Sequence, residues 1–561
     1  MPPLVECVPN FSEGRDATII QQIADRLASV ESVSVLHVDA GKATNRTVIT
    51  LAGPPEAVIE SAFRGIARAA ELIDMRRHTG EHPRMGATDV CPLVPISDIS
   101  LEEAAEYSKR LAERVGRELG IPVFLYEAAQ ADPARKNLAA IRAGEYEGLR
   151  DKIARPEWRP DFGPAEFNPK SGATVIGARD FLVAFNVNLN TTSTRRANAI
   201  AFDVREAGRP KREGHPLTGR PVVDAAGIPV MIPGSLKSVK AIGWFIKEYG
   251  IAQVSMNLTD ISVTPLHVAF DEVCRRAETR GIRVTGSEIV GLIPLGAMLE
   301  AGRYFLRKQE RSTGVADAEL IRIAVKSLGL EELSPFVPGE RIIEYRMPGE
   351  ANDPLVKLTV EDFTAETASE SPAPGGGSVA ALVGSLGASL GAMVANLSAN
   401  KRGWEERWLE FSDWADRGQR LRSELVRLID EDTRAFNDVM AALALPKATP
   451  GEKAARKSAV SAANQNAIRA PFRVMKLAHE SFELLEAMAT SGNPASASDA
   501  GVGALCARAA VRGAWLNVLT NLAGAGDRAA FQELLADGKL IVEDSAKREE
   551  RILQAVEKQF G

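Results

Sequence analysis

Between Arg77 and Pro92 the chain reads RHTGEHPRMGATDVCP, a polar run set between apolar segments. Gly80, Pro83 and Gly86 keep it from being helical, so it is expected to be a loop that presents side chains. The run contains His82, a residue type whose ordinary pKa lies near neutrality, with Arg76, Arg77 and Arg84 as neighbours in sequence. That set suits proton abstraction from a nucleophile attacking an anionic substrate. A solvated loop histidine is the plain alternative.

A second position is Asp432. Leu425, Leu428, Ile429, Phe436, Val439 and Leu443 follow one face of a helix near Ser423 to Leu443, and Asp432 falls in the middle of that face. Asp430, Glu431 and Arg434 are expected to point elsewhere. A carboxylate on an apolar face is partly desolvated, which raises its pKa and suits it to donate a proton near neutrality. The competing reading is a structural ion pair with a basic residue.

Two further stretches offer contacts to a ligand. SPAPGGGS, from Ser371 to Ser378, places Gly375, Gly376, Gly377 and Ser378 at the start of a helix, where free N–H groups could hold an anion or merely be capped. No Gly-Lys-Ser/Thr follows and no buried strand precedes, which excludes a Walker loop and a dinucleotide turn. The aromatic and proline-rich segment Tyr146 to Lys170 runs on to Gly172 and could line a flat heteroaromatic ligand or act as an interdomain brace. Asn517 and Asn521, one turn apart, read as bundle hydrogen-bonding residues.

The elements that must carry these residues follow two grammars. Up to about Arg346, short β-type runs alternate with amphipathic helices, among them Val33 to Asp39, Thr47 to Leu51, the helix Pro54 to Leu72, Val90 to Pro95, the helix Leu101 to Leu119 and Val123 to Tyr126. A similar order returns after Gly172: Phe181 to Leu189, a helix through Arg195 to Arg205, Ala241 to Ile246, Gln253 to Leu258, the helix Leu266 to Arg280, and Arg283 to Val290. The order strand, helix, strand, strand, helix, strand favours antiparallel-containing sheets backed by helices. The basic stretch Gly208 to Lys240 looks like an inserted loop. After a polar linker the pattern becomes almost purely helical.

The composition is that of soluble globular material, 45% apolar and 25% charged, and the net charge of −6 leaves no electrostatic footprint for nucleic acid. Cys7, Cys91, Cys274 and Cys506 are far apart and form no CxxC, which argues for a reducing compartment and against a zinc site. No secretory signal is expected from MPPLVECVPN. Val379 to Leu397 is uncharged and long enough to raise the question of a membrane span, but its glycines and serines equally allow close helix packing.

Together RHTGEHPRMGATDVCP, GEYEGL before a DFGP segment, GATVIGARDFLVAFNVNL, PAPGGGSVAA and LIDEDTRAF resemble the bifunctional formimidoyltransferase-cyclodeaminase family nearly from end to end. The resemblance implies two ferredoxin-like α/β subdomains (1–181 and 182–346), a linker (347–354) and an all-α cyclodeaminase bundle (355–561) that forms a homo-oligomer. It implies a cytoplasmic folate enzyme of histidine degradation. The first part would transfer the formimino group of N-formimino-L-glutamate to N5 of tetrahydrofolate, and the second would close 5-formiminotetrahydrofolate to 5,10-methenyltetrahydrofolate with loss of ammonia. His82 and Asp432 match the family's catalytic residues, with Arg and Lys neighbours of His82 holding the glutamate carboxylates. The folate-binding loop maps onto Gly163, Pro164, Ala165, Glu166, Phe167, Asn168, Pro169, Lys170, Ser171 and Gly172, where Lys170 and Ser171 depart from the family's pattern. Gly375 to Ser378 would bind substrate in the second domain. Tetrahydrofolate, with or without a polyglutamate tail, would be the co-substrate, and no metal, nucleic acid or membrane span is implied. Rival readings are formyl transfer from N-formylglutamate, hydrolysis of methenyltetrahydrofolate by the helical domain, one domain reduced to a folate-binding module, or a membrane protein.

Overall fold

Short β-type runs, most of them buried along nearly their whole length, build the first part of the chain into a mixed sheet. The computed structural model describes all residues except 1–2, 42–44, 80–82, 215–218, 248, 348–354, 372, 524–528 and 561. Its strands are β1 (Leu4–Cys7), β2 (Asn10–Phe11), β3 (Ser34–Gly41), β4 (Arg46–Gly53), β5 (Thr88–Ser97), β6 (Val123–Glu127) and β7 (Thr174–Ala178). The helices α1 (Ala17–Ala28), α2 (Pro55–Leu72) and α3 (Leu101–Leu119) bury their apolar stripes against it. Asp16 caps α1, and Ser100 with Glu103 forms a capping box on α3.

In this sheet β4 lies between β3 and the broken pair β1/β2, and β5 lies beyond that pair, all antiparallel. The sheet then continues in parallel fashion through β7 to β6. The sequence pattern prepares for the antiparallel part only; the parallel edge exists because α3 crosses over and returns the chain on the far side, leaving a gap that β7 fills. Two short helices, α4 (Leu138–Arg142) and α5 (Leu149–Ile153), lie between β6 and β7 in the chain.

The second α/β subdomain is regular. β8 (Val183–Leu189), α6 (Thr194–Val204), then β11 (Val239–Ile246), β12 (Ile251–Leu258), α7 (Leu266–Glu278) and β13 (Val284–Val290) form a four-stranded antiparallel sheet in the order β11-β12-β8-β13. Within the inserted stretch, β9 (Arg209–Pro210) and β10 (Met231–Ile232) pair as a separate ribbon.

The remainder is helical: α8 (Leu295–Lys308), α9 (Asp317–Leu328), the single turns α10 (Pro338–Arg341) and α11 (Ile343–Arg346), then α12 (Val360–Thr367), α13 (Gly376–Ala399), α14 (Trp408–Ala444), α15 (Pro450–Ser491), α16 (Ala497–Ala523) and α17 (Gln532–Glu557). By its contacts the chain forms two compact units, one of Met1–Met298 with Leu328–Pro348 and one of Leu299–Ser327 with Gly349–Gly561. The sequence pattern puts Leu299–Ser327 with the second α/β subdomain. Its contacts put it with the bundle, through a buried polar seam: the Thr313 N–H donates to Ser412 Oγ at 3.0 Å, and Asn396 Nδ2 donates to the Gly314 carbonyl at 2.7 Å. Such long-range partners leave no periodic trace in sequence.

The small-residue helix α13 is packed among α14, α15 and α16. Gly384 faces Ala510 and Leu425, Gly387 faces the backbone of Gly503 and Ala507, and Gly391 faces Leu484. Its glycines thus admit neighbouring helices of the same chain. It is long and apolar enough to cross a membrane, but most of that apolar window is buried as the core of the bundle.

Candidate active sites

His82, with Gly80 and Glu81, lies outside the described residues. The chain on both sides of it is held firmly. Half-buried His78 receives a hydrogen bond on Nδ1 from Arg84 Nε at 3.2 Å, so its Nε2 carries the proton and donates to the Asn45 carbonyl at 2.9 Å. Burial holds the His78 pKa below its ordinary value, with the Arg84 charge adding to that and the Asn45 hydrogen bond opposing it. Asn45, in a left-handed conformation, also donates through Nδ2 to the Thr79 carbonyl at 2.9 Å.

Arg84 is buried and paired with Glu147 at 2.7 Å and Glu145 at 3.1 Å. Arg76 is exposed and paired with Asp74 at 2.6 Å. Both cations expected to hold substrate carboxylates are thus ion-paired within the chain. Arg84 ties the loop to the Tyr146 segment, whose N–H donates to the Arg84 carbonyl at 2.9 Å, and its partners lie more than one sheet connection away in sequence.

Gly163 to Gly172 is stitched to the shoulders of the same loop. The Met75 N–H donates to the Lys170 carbonyl at 2.9 Å, the Ala87 N–H to the Ser171 carbonyl at 2.8 Å, and Lys170 Nζ to the Glu71 carbonyl at 2.9 Å. Gly172 has φ 66°, and a Cβ there would overlap the Met85 carbonyl, so the close approach of the two segments requires glycine. Gly163, Pro164, Ala165 and Glu166 are exposed, while Ser171 and Gly172 are buried. Phe167 stands 5.4 Å from the Tyr146 ring, with the Arg150 guanidinium 4.7 Å from its centre.

A cleft of about 890 Å³ opens in this unit, lined by residues of both α/β subdomains, among them Asn10, Arg46, Tyr126, Arg142, Arg179, Asp180, Lys240 and Asp260. None of Gly163 to Gly172 lines it. Reasoning from sequence missed its basic residues. The available signal was Asp89, inside the first motif, a fully buried carboxylate that needs cationic partners.

In the bundle the other motifs converge. Gly375 caps α13 from an extended conformation, so that Gly376, Gly377 and Ser378 form its first turn. The buried Ser378 hydroxyl lies 2.8 Å from the Ile429 carbonyl, 3.1 Å from Thr433 Oγ1 and 3.4 Å from Asp432 Oδ2. A Cβ on Gly377 would overlap the Asp432 carboxylate, and one on Gly376 would stand 3.2 Å from Asn517 Nδ2. Burial raises the Asp432 pKa above the ordinary value, against the lowering effect of hydrogen bonds from the Ser378 hydroxyl and N–H. Desolvation favours the protonated carboxyl while the helix N-terminus favours the carboxylate, so the two pull the proton affinity of Asp432 in opposite directions.

Asp430 is buried and accepts hydrogen bonds from the Leu355 and Val356 N–H groups at 3.1 and 3.3 Å. One expectation about this helix needs correction. Phe436 and Leu443 are exposed, whereas Leu425, Leu428 and Ile429 are buried, so the apolar face is covered over only part of its length. Asn517 and Asn521 donate to the Gly513 and Ala467 carbonyls at 2.9 and 2.6 Å, as bundle residues.

Comparison with known proteins matches three family models in chain order: the N-terminal subdomain of the formiminotransferase domain over residues 4–179, the formiminotransferase domain over 184–348, and formiminotransferase-cyclodeaminase over 359–539. The chain is 42% identical over 559 residues to a formimidoyltransferase-cyclodeaminase of Gallus gallus, covering 100% of this chain and 99% of that protein. It is 40% identical to a glutamate formimidoyltransferase of Streptococcus pyogenes over 310 residues, 55% of this chain and 95% of that protein. It is 37% identical to a methenyltetrahydrofolate cyclohydrolase of Methylorubrum extorquens over 198 residues, 35% of this chain and 95% of that protein.

Proposed function

The chain belongs to the formimidoyltransferase-cyclodeaminase family, and from that premise we propose that it is a folate-dependent bifunctional enzyme of histidine degradation. It transfers the formimino group of N-formimino-L-glutamate to N5 of tetrahydrofolate, then cyclises the product to 5,10-methenyltetrahydrofolate and releases ammonia. The observation that carries this reading is the end-to-end similarity to proteins that join both activities, together with separate relatives of the transferase half.

In the transfer step N5 attacks the amidine carbon, loses its proton, and the glutamate nitrogen leaves protonated. His82 is the base in this reading, in a loop whose ends are anchored by the His78–Arg84 hydrogen bond. Gly163 to Gly172, bonded to the same shoulders, would contact the pterin. In the cyclisation N10 attacks the formimino carbon while the terminal nitrogen takes the N10 proton and one more, leaving as ammonia and giving the methenyl cation. Asp432 supplies that second proton, and its raised pKa supports the role. Gly375, Gly376, Gly377 and Ser378 hold the substrate beside it.

A homo-oligomer is part of the proposal: Leu386, Met393 and Leu397 of α13 and Val502 and Leu505 of α16 are exposed apolar residues. A cytoplasmic setting is supported by four free cysteines. One second reading has a specific observation behind it, namely that the bundle hydrolyses methenyltetrahydrofolate, as the name of its Methylorubrum extorquens relative states of that protein. Substitution separates the two halves: His82→Ala should abolish transfer and spare cyclisation of supplied 5-formiminotetrahydrofolate, and Asp432→Ala should do the reverse. Normal transfer by the His82 variant would remove that residue from the mechanism.

A further inference from the structure

The Arg46–Asp89–Arg142 cluster lies beside the cleft of the first unit, with both arginines in its lining. Its central carboxylate is placed by a bulge: Asn10 is opposite Val90 and Phe11 opposite Thr88, so Asp89 is the extra residue, turned out of the ladder. Asp89 is fully buried; its Oδ1 accepts from the Met85 N–H at 3.0 Å and from Arg142 Nε at 3.3 Å. Its Oδ2 accepts from Arg46 Nη1 at 2.5 Å and from Arg142 Nη2. Asn10 Oδ1 takes Arg46 Nε and Nη2 at 3.1 and 2.6 Å. Two guanidiniums share one carboxylate, so the three ionised side chains carry a surplus positive charge, and the arginine side chains are only 12% and 15% exposed.

A second device sets the position of Arg142. It is the last residue of α4, and Lys152 Nζ donates to the carbonyls of Ala140, Ile141 and Ala143 at 2.9, 2.6 and 3.0 Å, gripping the end of that helix. With Asp89 holding Nε and Nη2, Nη1 of Arg142 has no hydrogen-bond partner among the described residues and is open to an anion. Elsewhere the cleft carries the cations Arg179 and Lys240 and the acids Glu127, Glu145, Asp180 and Asp260. A site with both signs of charge matches a ligand that carries carboxylates and a cationic amidine together.

We infer that Arg142, set by Asp89 and Lys152 and backed by Arg46, binds a carboxylate of the glutamyl donor and determines the first unit's specificity for a dicarboxylate. The role that the sequence assigns to the neighbours of His82 thus passes to residues distant from it in the chain. The inference rests on reading this unit as the transferase, but it has a test that does not.

The full-length protein is titrated calorimetrically with L-glutamate, and the KM values for N-formimino-L-glutamate and for tetrahydrofolate are measured separately, in the wild type and in Arg142→Gln and Arg142→Lys. The inference expects Arg142→Gln to raise the Kd for L-glutamate and the KM for the donor about tenfold or more, leaving the KM for tetrahydrofolate unchanged. Arg142→Lys should recover little, because an ammonium cannot grip Asp89 and a carboxylate with a planar fork. Unfolding temperatures close to the wild type's would show that the fold is kept, as expected where Arg46 still neutralises Asp89; if the glutamine variant unfolds, the lysine variant carries the test. Unchanged Kd and donor KM in a folded variant would overturn the inference, as would a rise in the tetrahydrofolate KM alone. Glutamate binding through Arg142 in a protein that transfers no formimino group would instead defeat the transferase reading and leave the subsite standing.

Discussion

Gly377 presents a bare Cα to the Asp432 carboxylate, so closely that a Cβ would overlap both carboxylate oxygens. The glycine run at the start of α13 is in this light a matter of space: it lets a helix N-terminus rest directly on a half-buried acid.

That contact predicts a graded response to small substitutions. Gly377→Ala has to push Asp432 or the first turn of α13 aside, and a displacement of the order of 1 Å costs roughly 100-fold in rate. Cyclisation should fall by about that factor while formimino transfer is retained. Gly376→Ala, whose Cβ would meet Asn517 Nδ2 at 3.2 Å, should cost far less. Steady-state rates of both half-reactions in the two variants check this, and equal losses would contradict it.

Ser378 tunes the acid. Its hydrogen bonds lower the Asp432 pKa against the burial that raises it. Ser378→Ala removes the hydroxyl contribution, so the pKa should rise further. If Asp432 donates a proton, activity falls as pH rises through that pKa, and the alkaline limb of the cyclisation profile should move to higher pH in the variant. Thermal stability should drop by about 1–2 kcal/mol for the lost buried hydrogen bonds. A limb moving to lower pH would contradict the assignment.

Glu6 offers a stability test independent of catalysis. Burial pushes its pKa from 4.5 up to about 7, with the Arg179 charge opposing. A raised carboxyl favours the protonated folded state: its contribution is complete below about 4.5 and is lost as pH rises through about 7. The loss is on the order of 3 kcal/mol. Glu6→Gln, which cannot ionise, should unfold at a higher temperature than wild type at pH 8 and at about the same temperature at pH 4. No gain at pH 8 would refute the claim that Glu6 ionises at a cost in the fold.

Much of this was legible in the sequence, and the reasons for the exceptions are local. Strands and helices that alternate strictly, such as β12 and α3, announce themselves through period. Asp432 was found the same way, as a carboxylate interrupting an apolar stripe. Period reports which residues share a face but not what lies opposite. It therefore counted Phe436 and Leu443 as core where α14 is left uncovered, and gave no sign that backbone N–H groups some 75 residues away in sequence cap Asp430. The ion pairs of Arg84 were illegible for a like reason, since Glu145 and Glu147 stand 61 and 63 residues along the chain. The carboxylate-binding cluster depends on a bulge at Asp89, and a bulge leaves no mark in hydrophobic pattern.

The most direct test of two coupled activities on one chain is a count of products. Purified protein is mixed with tetrahydrofolate and N-formimino-L-glutamate, and glutamate, methenyltetrahydrofolate absorbance and ammonia are followed together. The account predicts that methenyltetrahydrofolate and ammonia rise in equal amounts, each matched by one glutamate released. Glutamate released without ammonia or methenyl product, or supplied methenyltetrahydrofolate consumed in place of its formation, would contradict it.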